Sequence, residues 1–380
     1  MKKTFFKSLM IAALIVPTFT ACELDQYPTT SIPGEKSWEK PSDATNFHKG
    51  LYSTLRSLAG TGYLWGDIMM DYFQPTISYG NRGGLLYTWT YSANDVGGPW
   101  SSGYSAISDC NYYLTNVDKI DYSKSTDRAT DSILLRQYKG EAYFIRAMAY
   151  SNIVSYYCRT YDAGTAATTR GLPLLTKVDV SAKPRSANLK ATYEFILNDL
   201  KMADDLLQAD GPDEDAAVGV LINKTMTKAL RARVLLNMGD YTNALAEAEA
   251  LINSGHFALA NSANALKDMW INDQGSEFIY VPAGTPDERY EYGTSVNGNN
   301  FHAYSTAAGA FTPDWIPSKE TVDMYSTNDW RTKFYLDPKD VKCQDQKASH
   351  VALFNKFLNN PNLGKKGDSK YAQYSLPKLF

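Results

Sequence analysis

Long apolar runs are absent from this chain of 380 residues. Because a membrane-spanning helix needs about 18 or more consecutive, mostly apolar residues, that absence excludes a polytopic membrane protein. A basic excess is also absent, since 38 Lys and Arg face 41 Asp and Glu and the net charge is −3. That balance argues against a nucleic-acid-binding protein, which usually carries a basic patch or stripe. The remaining composition, 44% hydrophobic and 21% charged, is typical of a soluble globular protein.

Cysteine is scarce, with four residues in the whole chain. Apart from Cys22, the cysteines are Cys110, Cys158 and Cys343, which are far apart, and no C-x-x-C pair occurs. An odd number of widely spaced cysteines disfavours a disulfide framework and a zinc site. We therefore expect these three to be free thiols in the interior, where cysteine behaves as a small hydrophobic residue.

Catalytic and cofactor motifs are also missing from the sequence. None of the four His lies in an H-E-x-x-H sequence, and no G-x-S-x-G turn occurs. The glycine-rich stretch 80–84 lacks the spacings of a dinucleotide or phosphate-binding loop. We therefore predict no enzymatic activity, no metal and no cofactor. The 41 acidic residues leave a glycosidase open, because that chemistry needs only two carboxylates facing each other across a sugar.

The first 21 residues have the features of a secretory signal. Lysines near the start are followed by an apolar run over 9–16 that is too short to span a bilayer. The run ends in Phe19-Thr20-Ala21-Cys22, which resembles a bacterial lipobox, in which the Cys22 thiol is acylated and becomes the new N-terminus. The alternative is ordinary secretory cleavage near Ala21. The polar segment 22–40 then predicts an extended tether.

Helical periodicity dominates after the tether. Apolar residues recur at steps of three and four over 43–56, 103–117, 132–157 and 191–207, which predicts four amphipathic helices. The clearest is 132–157, whose stripe runs from Leu135 to Tyr156. The segment 278–281 is a short strand candidate.

The stretch 219–254 predicts two helices joined at Gly239, which can adopt the left-handed conformation that ends a helix. Small residues would let the two helices approach closely, and the residues expected to line them are Ala229, Ala232, Leu236, Ala244, Ala248 and Leu251. This pattern is typical of a tetratricopeptide-like helix hairpin. The helices 132–157 and 191–207 are candidates for a second, degenerate hairpin.

Aromatic residues are the unusual part of the composition, since 27 Tyr, 15 Phe and 7 Trp make up 13% of the chain. They concentrate in two windows, 63–104 and 290–315, which also contain Gly, Asn and Ser and show no sustained helical stripe. Loops place such residues at the surface. One face of a pyranose ring is mostly C–H and can lie flat on an aromatic ring, so these windows predict sugar-binding platforms. Trp89 and Trp100 flank a helix start, and we expect those two in the core instead.

Six segments in chain order resemble motifs of the SusD/RagB-like outer-membrane lipoproteins of Bacteroidetes. They are Cys22-Glu23-Leu24-Asp25-Gln26-Tyr27-Pro28, Gly140-Glu141-Ala142-Tyr143-Phe144-Ile145-Arg146-Ala147, Gly171-Leu172-Pro173-Leu174, Ile196-Leu197-Asn198-Asp199-Leu200, the stretch from Lys228 to Tyr241, and Glu277-Phe278-Ile279-Tyr280. Family members continue through a further helix, whereas this sequence stops at Phe380, about where that helix would begin. We therefore expect the C-terminal part of the family's fold to be missing.

The resemblance implies a mainly α fold, in which tetratricopeptide-like hairpins form a scaffold for long irregular ligand-binding loops and a few short strands. It implies a SusD-like helical domain over 41–380, after the signal 1–21 and the tether 22–40. It also implies a non-catalytic, lipid-anchored protein on the surface of the outer membrane, which captures glycan and delivers it to a SusC-like TonB-dependent transporter.

The resemblance and the two aromatic windows together select the expected glycan-binding residues, which are Trp65, Tyr79, Asn81, Arg82, Tyr292, Tyr304 and Trp315. Rings would stack on the sugar, and Asn and Arg would reach its hydroxyls. Two alternatives stay open for the rings, namely burial in the core and contact with the transporter. Two alternatives stay open for the function, namely a scaffold or lid subunit of the transporter with little glycan affinity, and capture of a non-glycan nutrient such as peptide.

Overall fold

The computed structural model describes residues 37–60, 65–76, 84–179, 181–208, 221–272, 274–280, 304–343 and 346–354. The predicted signal 1–21, Cys22 and most of the tether lie outside the described residues. Within the described ranges, no helix is both long enough and apolar enough to cross a membrane.

Helices make up most of the described chain, and eight short or medium strands accompany them. The helices are α1 (Pro41–Gly60), α2 (Trp65–Met69), α3 (Gly84–Tyr87), α4 (Gly98–Asn116), α5 (Arg128–Tyr157), α6 (Leu189–Leu206), α7 (Lys224–Asn237), α8 (Tyr241–Asn253), α9 (Ala263–Ile271), α10 (Lys319–Asp323) and α11 (Trp330–Tyr335). Two 3₁₀ turns, Val117–Lys119 and Tyr122–Lys124, lie between α4 and α5. The strands are β1 (Phe73–Pro75), β2 (Arg170–Pro173), β3 (Ser186–Asn188), β4 (Tyr304–Ser305), β5 (Ala310–Phe311), β6 (Trp315–Pro317), β7 (Leu336–Cys343) and β8 (Gln346–Phe354). The predicted mainly α class and the four predicted helices are confirmed.

The long helix α5 is the centre of the frame. It packs against α1, α4 and α6, and α6 in turn packs against α7. Because neighbours surround it, α5 is buried on more than one face from Gly140 to Val154, which is a wider surface than the predicted single stripe. The stripe also stops earlier than predicted, since Tyr156 is exposed. The expected pairing of 132–157 with 191–207 is confirmed by the contact of α5 with α6.

Buried polar pairs join these helices through residues of the family-like motifs. The Arg146 guanidinium on α5 binds Asp199 on α6 through two hydrogen bonds of 2.8 Å and 2.7 Å. Five residues earlier on α5, Glu141 accepts a hydrogen bond of 2.7 Å from the Tyr52 hydroxyl and lies 2.6 Å from the Nε2 atom of His48. Each of these buried charged groups therefore has a partner, as burial of a charge requires.

The predicted hairpin is present as α7 and α8, with Gly239 between them at a φ of 73°. No atom lies within 4 Å of the position of a Cβ at Gly239, so its backbone conformation, and not space, favours glycine there. The prediction that Leu236 lines the contact between the two helices is wrong, because 55% of Leu236 is exposed. Arg231 and Glu247 link the two helices by an ion pair at 2.6 Å.

The strands form three small sheets. β1 pairs with β6, and β2 pairs with β3, both antiparallel. The third sheet has the order β4-β5-β7-β8, in which only the β5–β7 pair is parallel. The predicted strand over 278–281 is wrong for its described part, since 278–280 contain a single bridge residue, Tyr280.

The described free cysteines fit the prediction in part. Cys110 is fully buried in the main core, whereas Cys158 at the end of α5 is only half-buried. The side chain of Cys343 lies outside the described part of the chain.

Candidate functional site

The two aromatic windows meet in the structure through the pairing of β1 with β6. Residues Phe73 and Pro75 of the first window lie opposite Pro317 and Trp315 in this two-stranded sheet. Ile68, Phe73, Leu86 and Trp315 form a second buried cluster, separate from the main helical core. Together the windows therefore build an apolar base, on which exposed rings can rest.

Trp315 is part of that base, so its predicted role as a stacking platform is wrong in this structure. Only 2% of its surface is exposed. Its ring packs against Phe73 and Tyr87, with ring centres 6.5 Å and 5.9 Å away. A sugar could not reach either face without moving the cluster. The physical reason is the strand pairing, which turns the Trp315 side chain into the interior.

Trp89 and Trp100 are exposed, which is the opposite of their predicted burial. We predicted both in the core, yet 61% of Trp89 and 37% of Trp100 are exposed. Trp89 also has a φ of 57°, a left-handed backbone conformation that bulky residues rarely adopt. Such strain costs about 1–3 kcal/mol and persists only where the surrounding structure enforces it. The turn after α3 thus holds a large ring in solvent at a cost in stability.

Four rings form a continuous chain over the junction of α2, α4 and α5, and we call this chain the ring surface. It consists of Trp65, Tyr156, Tyr157 and Trp100, with successive centre-to-centre distances of 5.7 Å, 6.4 Å and 5.3 Å. Trp65, a predicted site residue, is half-buried and packs against the second cluster. Tyr91 packs against the same cluster as Trp65, and its ring centre lies 6.5 Å from that of Trp89.

Within the ring surface, the Tyr157 side chain is fixed by hydrogen bonds to the backbone. The Tyr157 hydroxyl donates to the carbonyl of Val96 and accepts from the backbone N–H of Trp100 at 3.1 Å. Burial raises the pKa of Tyr157, so this hydroxyl stays protonated and can donate. Few rotamers remain to be lost when a ligand binds to rings fixed in this way.

Tyr304 lies on a different sheet from the ring surface. It belongs to β4, 46% of it is exposed, and its ring meets Phe311 edge-on at 5.2 Å. The exposed face is compatible with the predicted role. The remaining predicted residues, which are Tyr79, Asn81, Arg82 and Tyr292, lie outside the described residues.

Sequence reasoning missed Tyr156 and Tyr157 as surface residues. Successive helical residues point about 100° apart, so two adjacent tyrosines at a helix end cannot both follow one narrow stripe. Tyr156 was assigned to the buried stripe, although α5 ends one residue later. The position of the two tyrosines at the end of α5, directly before Cys158 and Arg159, was therefore the sequence feature that could have predicted exposed rings.

Comparison with known proteins shows which proteins this chain is similar to. The model of a SusD-like family, described as "Starch-binding associating with outer membrane", matches residues 61–236. SusD-like protein P38 of Formosa agariphila is 25% identical over 394 residues, which cover 98% of this chain and 69% of that protein. The chain is therefore similar to SusD-like proteins in sequence.

Solved SusD structures share the fold. A SusD superfamily protein of Bacteroides thetaiotaomicron superposes with a TM-score of 0.63 at 20% identity, over 84% of this chain and 70% of that one. Surface glycan-binding protein A of Bacteroides fluxus superposes with a TM-score of 0.60 at 17% identity, over 86% of this chain and 71% of that one. SusD-like proteins associate with the outer membrane, and the helical frame described above is their shared architecture.

Proposed function

We propose that this SusD-like chain is a non-catalytic glycan-binding protein of the bacterial cell surface. It captures oligosaccharide or polysaccharide on the ring surface and on the rings of Trp89 and Tyr91. The observation that carries the proposal is the chain of contacting rings in which Trp100 and Tyr156 are exposed, together with the exposed ring of Trp89. Similarity to the family supports it, because the matching family is described as starch-binding and one structural relative is named a surface glycan-binding protein.

The physical basis is stacking combined with hydroxyl recognition. A pyranose can place its C–H face on Trp100 or Trp89, where the ring supplies a large contact area at low entropic cost. Thr88 and Thr90 flank Trp89, and their hydroxyl oxygens lie 2.8 Å apart. Hydroxyls can both donate to and accept from a sugar.

The predicted loop residues remain part of the proposal. Tyr79, Asn81 and Arg82 belong to the segment that connects Thr76 with Gly84, and both of these flanking residues are buried. We propose that these three residues add stacking and hydrogen bonds to the bound glycan. Tyr292 and Tyr304 would contribute from the second window.

The proposal extends to the anchor and the partner. Acylation at Cys22 would fix the chain to the outer membrane, and a SusC-like TonB-dependent transporter would receive the glycan. Incorporation of labelled palmitate into the wild-type protein, and its loss in Cys22→Ser, tests the anchor. Co-purification of the transporter from solubilised outer membranes tests the partner.

Native electrophoresis in gels that contain single polysaccharides tests the binding function. We expect at least one polysaccharide to retard the protein and no product to form on prolonged incubation. Transporter co-purification without any retardation would favour the scaffold or lid alternative. Retardation by no polysaccharide, together with saturable binding of peptides, would favour capture of another nutrient. Release of shorter saccharides would contradict the non-catalytic proposal.

A further inference from the structure

A cleft next to the ring surface carries two arginines, and we call it the arginine cleft. It has a volume of about 660 Å³, which is in the range of small-ligand sites. Trp100 and Tyr157 form one wall and are shared with the ring surface. Arg159, just after α5, and Arg170, at the start of β2, line the rest together with threonine and serine side chains.

The charge in the arginine cleft is not balanced by protein carboxylates. Both arginines are exposed, and within the described ranges neither guanidinium has an Asp or Glu partner. No acidic residue lines the cleft among the described residues. Other arginines differ, since Arg146, Arg231 and Arg331 each bind a carboxylate. In a chain with a net charge of −3, this cleft is a local positive site.

Arg170 is held so that part of its guanidinium faces a ligand. Its Nε donates to the Ser186 hydroxyl at 3.2 Å, which leaves the two Nη groups for an anion. The strand that carries it is fixed by a close backbone approach at Gly171. There a Cβ would lie 2.3 Å from the Thr192 hydroxyl oxygen and 2.6 Å from the Asn188 carbonyl oxygen. The backbone next to Arg170 is therefore packed closely against the start of α6.

The other side chains of the arginine cleft can bind the hydroxyl groups and the C–H face of a sugar. The Thr168 and Thr169 hydroxyls each donate to the Thr165 carbonyl at 3.0 Å, so their oxygens can still accept from sugar hydroxyls. Trp100 offers a ring for a C–H face. Guanidinium groups bind carboxylates and other oxyanions bidentately, in a planar fork. The cleft thus combines a stacking wall, hydroxyl acceptors and a paired cationic end.

We propose that the arginine cleft binds the anionic group of an acidic glycan, a uronate carboxylate or a sulfate ester. The inference rests on the proposed glycan-binding function, and it deepens that function by naming the substrate class. Neutral glycans would use the ring surface alone, whereas acidic glycans would gain the guanidinium contacts in addition. The gain is electrostatic, so added salt should weaken it.

Titration calorimetry with matched ligand pairs tests this inference. The carboxylate arm compares oligogalacturonate with its fully methyl-esterified form. The sulfate arm compares a kappa-carrageenan oligosaccharide with its desulfated form. At low salt we expect one acidic ligand to bind at least about tenfold more tightly than its neutral partner, and the ratio to shrink at high salt. The arm that shows the difference identifies the anionic group.

Variants assign the effect to the cleft. Arg159→Gln combined with Arg170→Gln should remove the preference for the acidic form and leave the affinity for the neutral form unchanged. Arg159→Lys combined with Arg170→Lys should retain part of the preference, because the charge is kept without the fork. Arg128→Gln is the control. It removes an exposed arginine at the opposite end of α5, about 45 Å away at 1.5 Å per residue.

Two outcomes would overturn the inference alone. One is equal affinity of the acidic and neutral forms for the wild-type protein. The other is a preference that survives in the double Gln variant. Binding of neither form in either arm, together with no retardation by any polysaccharide, would instead contradict the proposed function and this inference with it.

Discussion

Arg146 on α5 and Asp199 on α6 form a buried ion pair with two parallel hydrogen bonds, Nε to Oδ2 at 2.8 Å and Nη2 to Oδ1 at 2.7 Å. The Asn111 side chain accepts a third hydrogen bond from Arg146, at 2.6 Å, so the guanidinium also ties α4 to the frame. Arg146 thereby joins α4, which carries Trp100, to α5, which carries Tyr156 and Tyr157, and to α6.

Replacing Arg146 by Met should lower the free energy of unfolding by about 3–5 kcal/mol, because it leaves the Asp199 carboxylate buried without a partner. The double variant Arg146→Met/Asp199→Leu should recover much of that loss, since no charge remains buried. Urea denaturation of the variants measures both effects. Lys201→Met, which breaks an exposed pair with Asp205, is the control and should change stability by less than about 1 kcal/mol. A loss as large in the double variant as in Arg146→Met would contradict this account of the pair.

Trp315→Ala should destabilise the fold by about 3–5 kcal/mol, because it removes a large side chain from the second cluster. Denaturation of this variant, compared with Tyr304→Ala, separates a core ring from an exposed one. Tyr304→Ala should remain within about 1 kcal/mol of the wild-type protein, since nearly half of Tyr304 is exposed. Similar losses in both variants would show that burial does not distinguish the two rings.

Trp89→Gly should raise the free energy of unfolding by about 1 kcal/mol, because glycine relieves the strain of a φ of 57°. Trp89→Ala keeps a Cβ in the same backbone conformation and should not gain that stability. Both variants lose the ring, so both should bind glycan more weakly. Thermal denaturation measures the change in stability of each variant, and glycan titration measures the change in its affinity. Equal stability of the Gly and Ala variants would contradict the claim that the backbone at Trp89 is strained.

The helix cap at Asp127 should make part of the stability depend on pH. The Thr130 hydroxyl and the Thr130 N–H donate to the Asp127 carboxylate, which lowers its pKa below the usual range. A lowered pKa in the folded state means that the carboxylate stabilises the fold above the ordinary Asp pKa of about 3.9 and stops doing so as the pH falls through the folded pKa.

Asp127→Ala should therefore be less stable than the wild-type protein at pH 7, and the difference should shrink below about pH 4. Asn188→Ala is the matched control, because Asn188 caps α6 through an amide that does not titrate. Its loss of about 1 kcal/mol should be the same at both pH values. Urea midpoints of both variants at pH 7 and near pH 3.5 give the comparison. A difference for Asp127→Ala that does not change with pH would exclude a titrating cap.

Much of the frame could be predicted from the sequence, because it depends on local periodicity. The helices over 43–56, 103–117, 132–157 and 191–207 follow from apolar spacing, and the turn at Gly239 follows from the residue itself. The side chains that face each other could not be derived in this way. In the sequence, Arg146 and Asp199 are only members of two separate motifs. Their pairing could not be predicted because it depends on how α5 packs against α6.

The candidate site was predicted less well, because ring density does not say which rings are buried. Pairing of β1 with β6 over more than 200 intervening residues decides that Trp315 is inside. A turn with one left-handed residue decides that Trp89 is outside. Both are long-range or strained features that periodicity does not encode. Arg159 and Arg170 come together only because β2 returns to the end of α5.

The most direct test of the account is the glycan affinity of the double variant Trp89→Ala/Trp100→Ala. Calorimetric titration uses the polysaccharide that most strongly retards the wild-type protein. The account predicts an affinity at least about tenfold lower in the double variant, equal to about 1.4 kcal/mol, with an unfolding midpoint within a few degrees of the wild-type value. Unchanged affinity in a folded double variant would contradict the claim that these exposed rings form the glycan-binding surface.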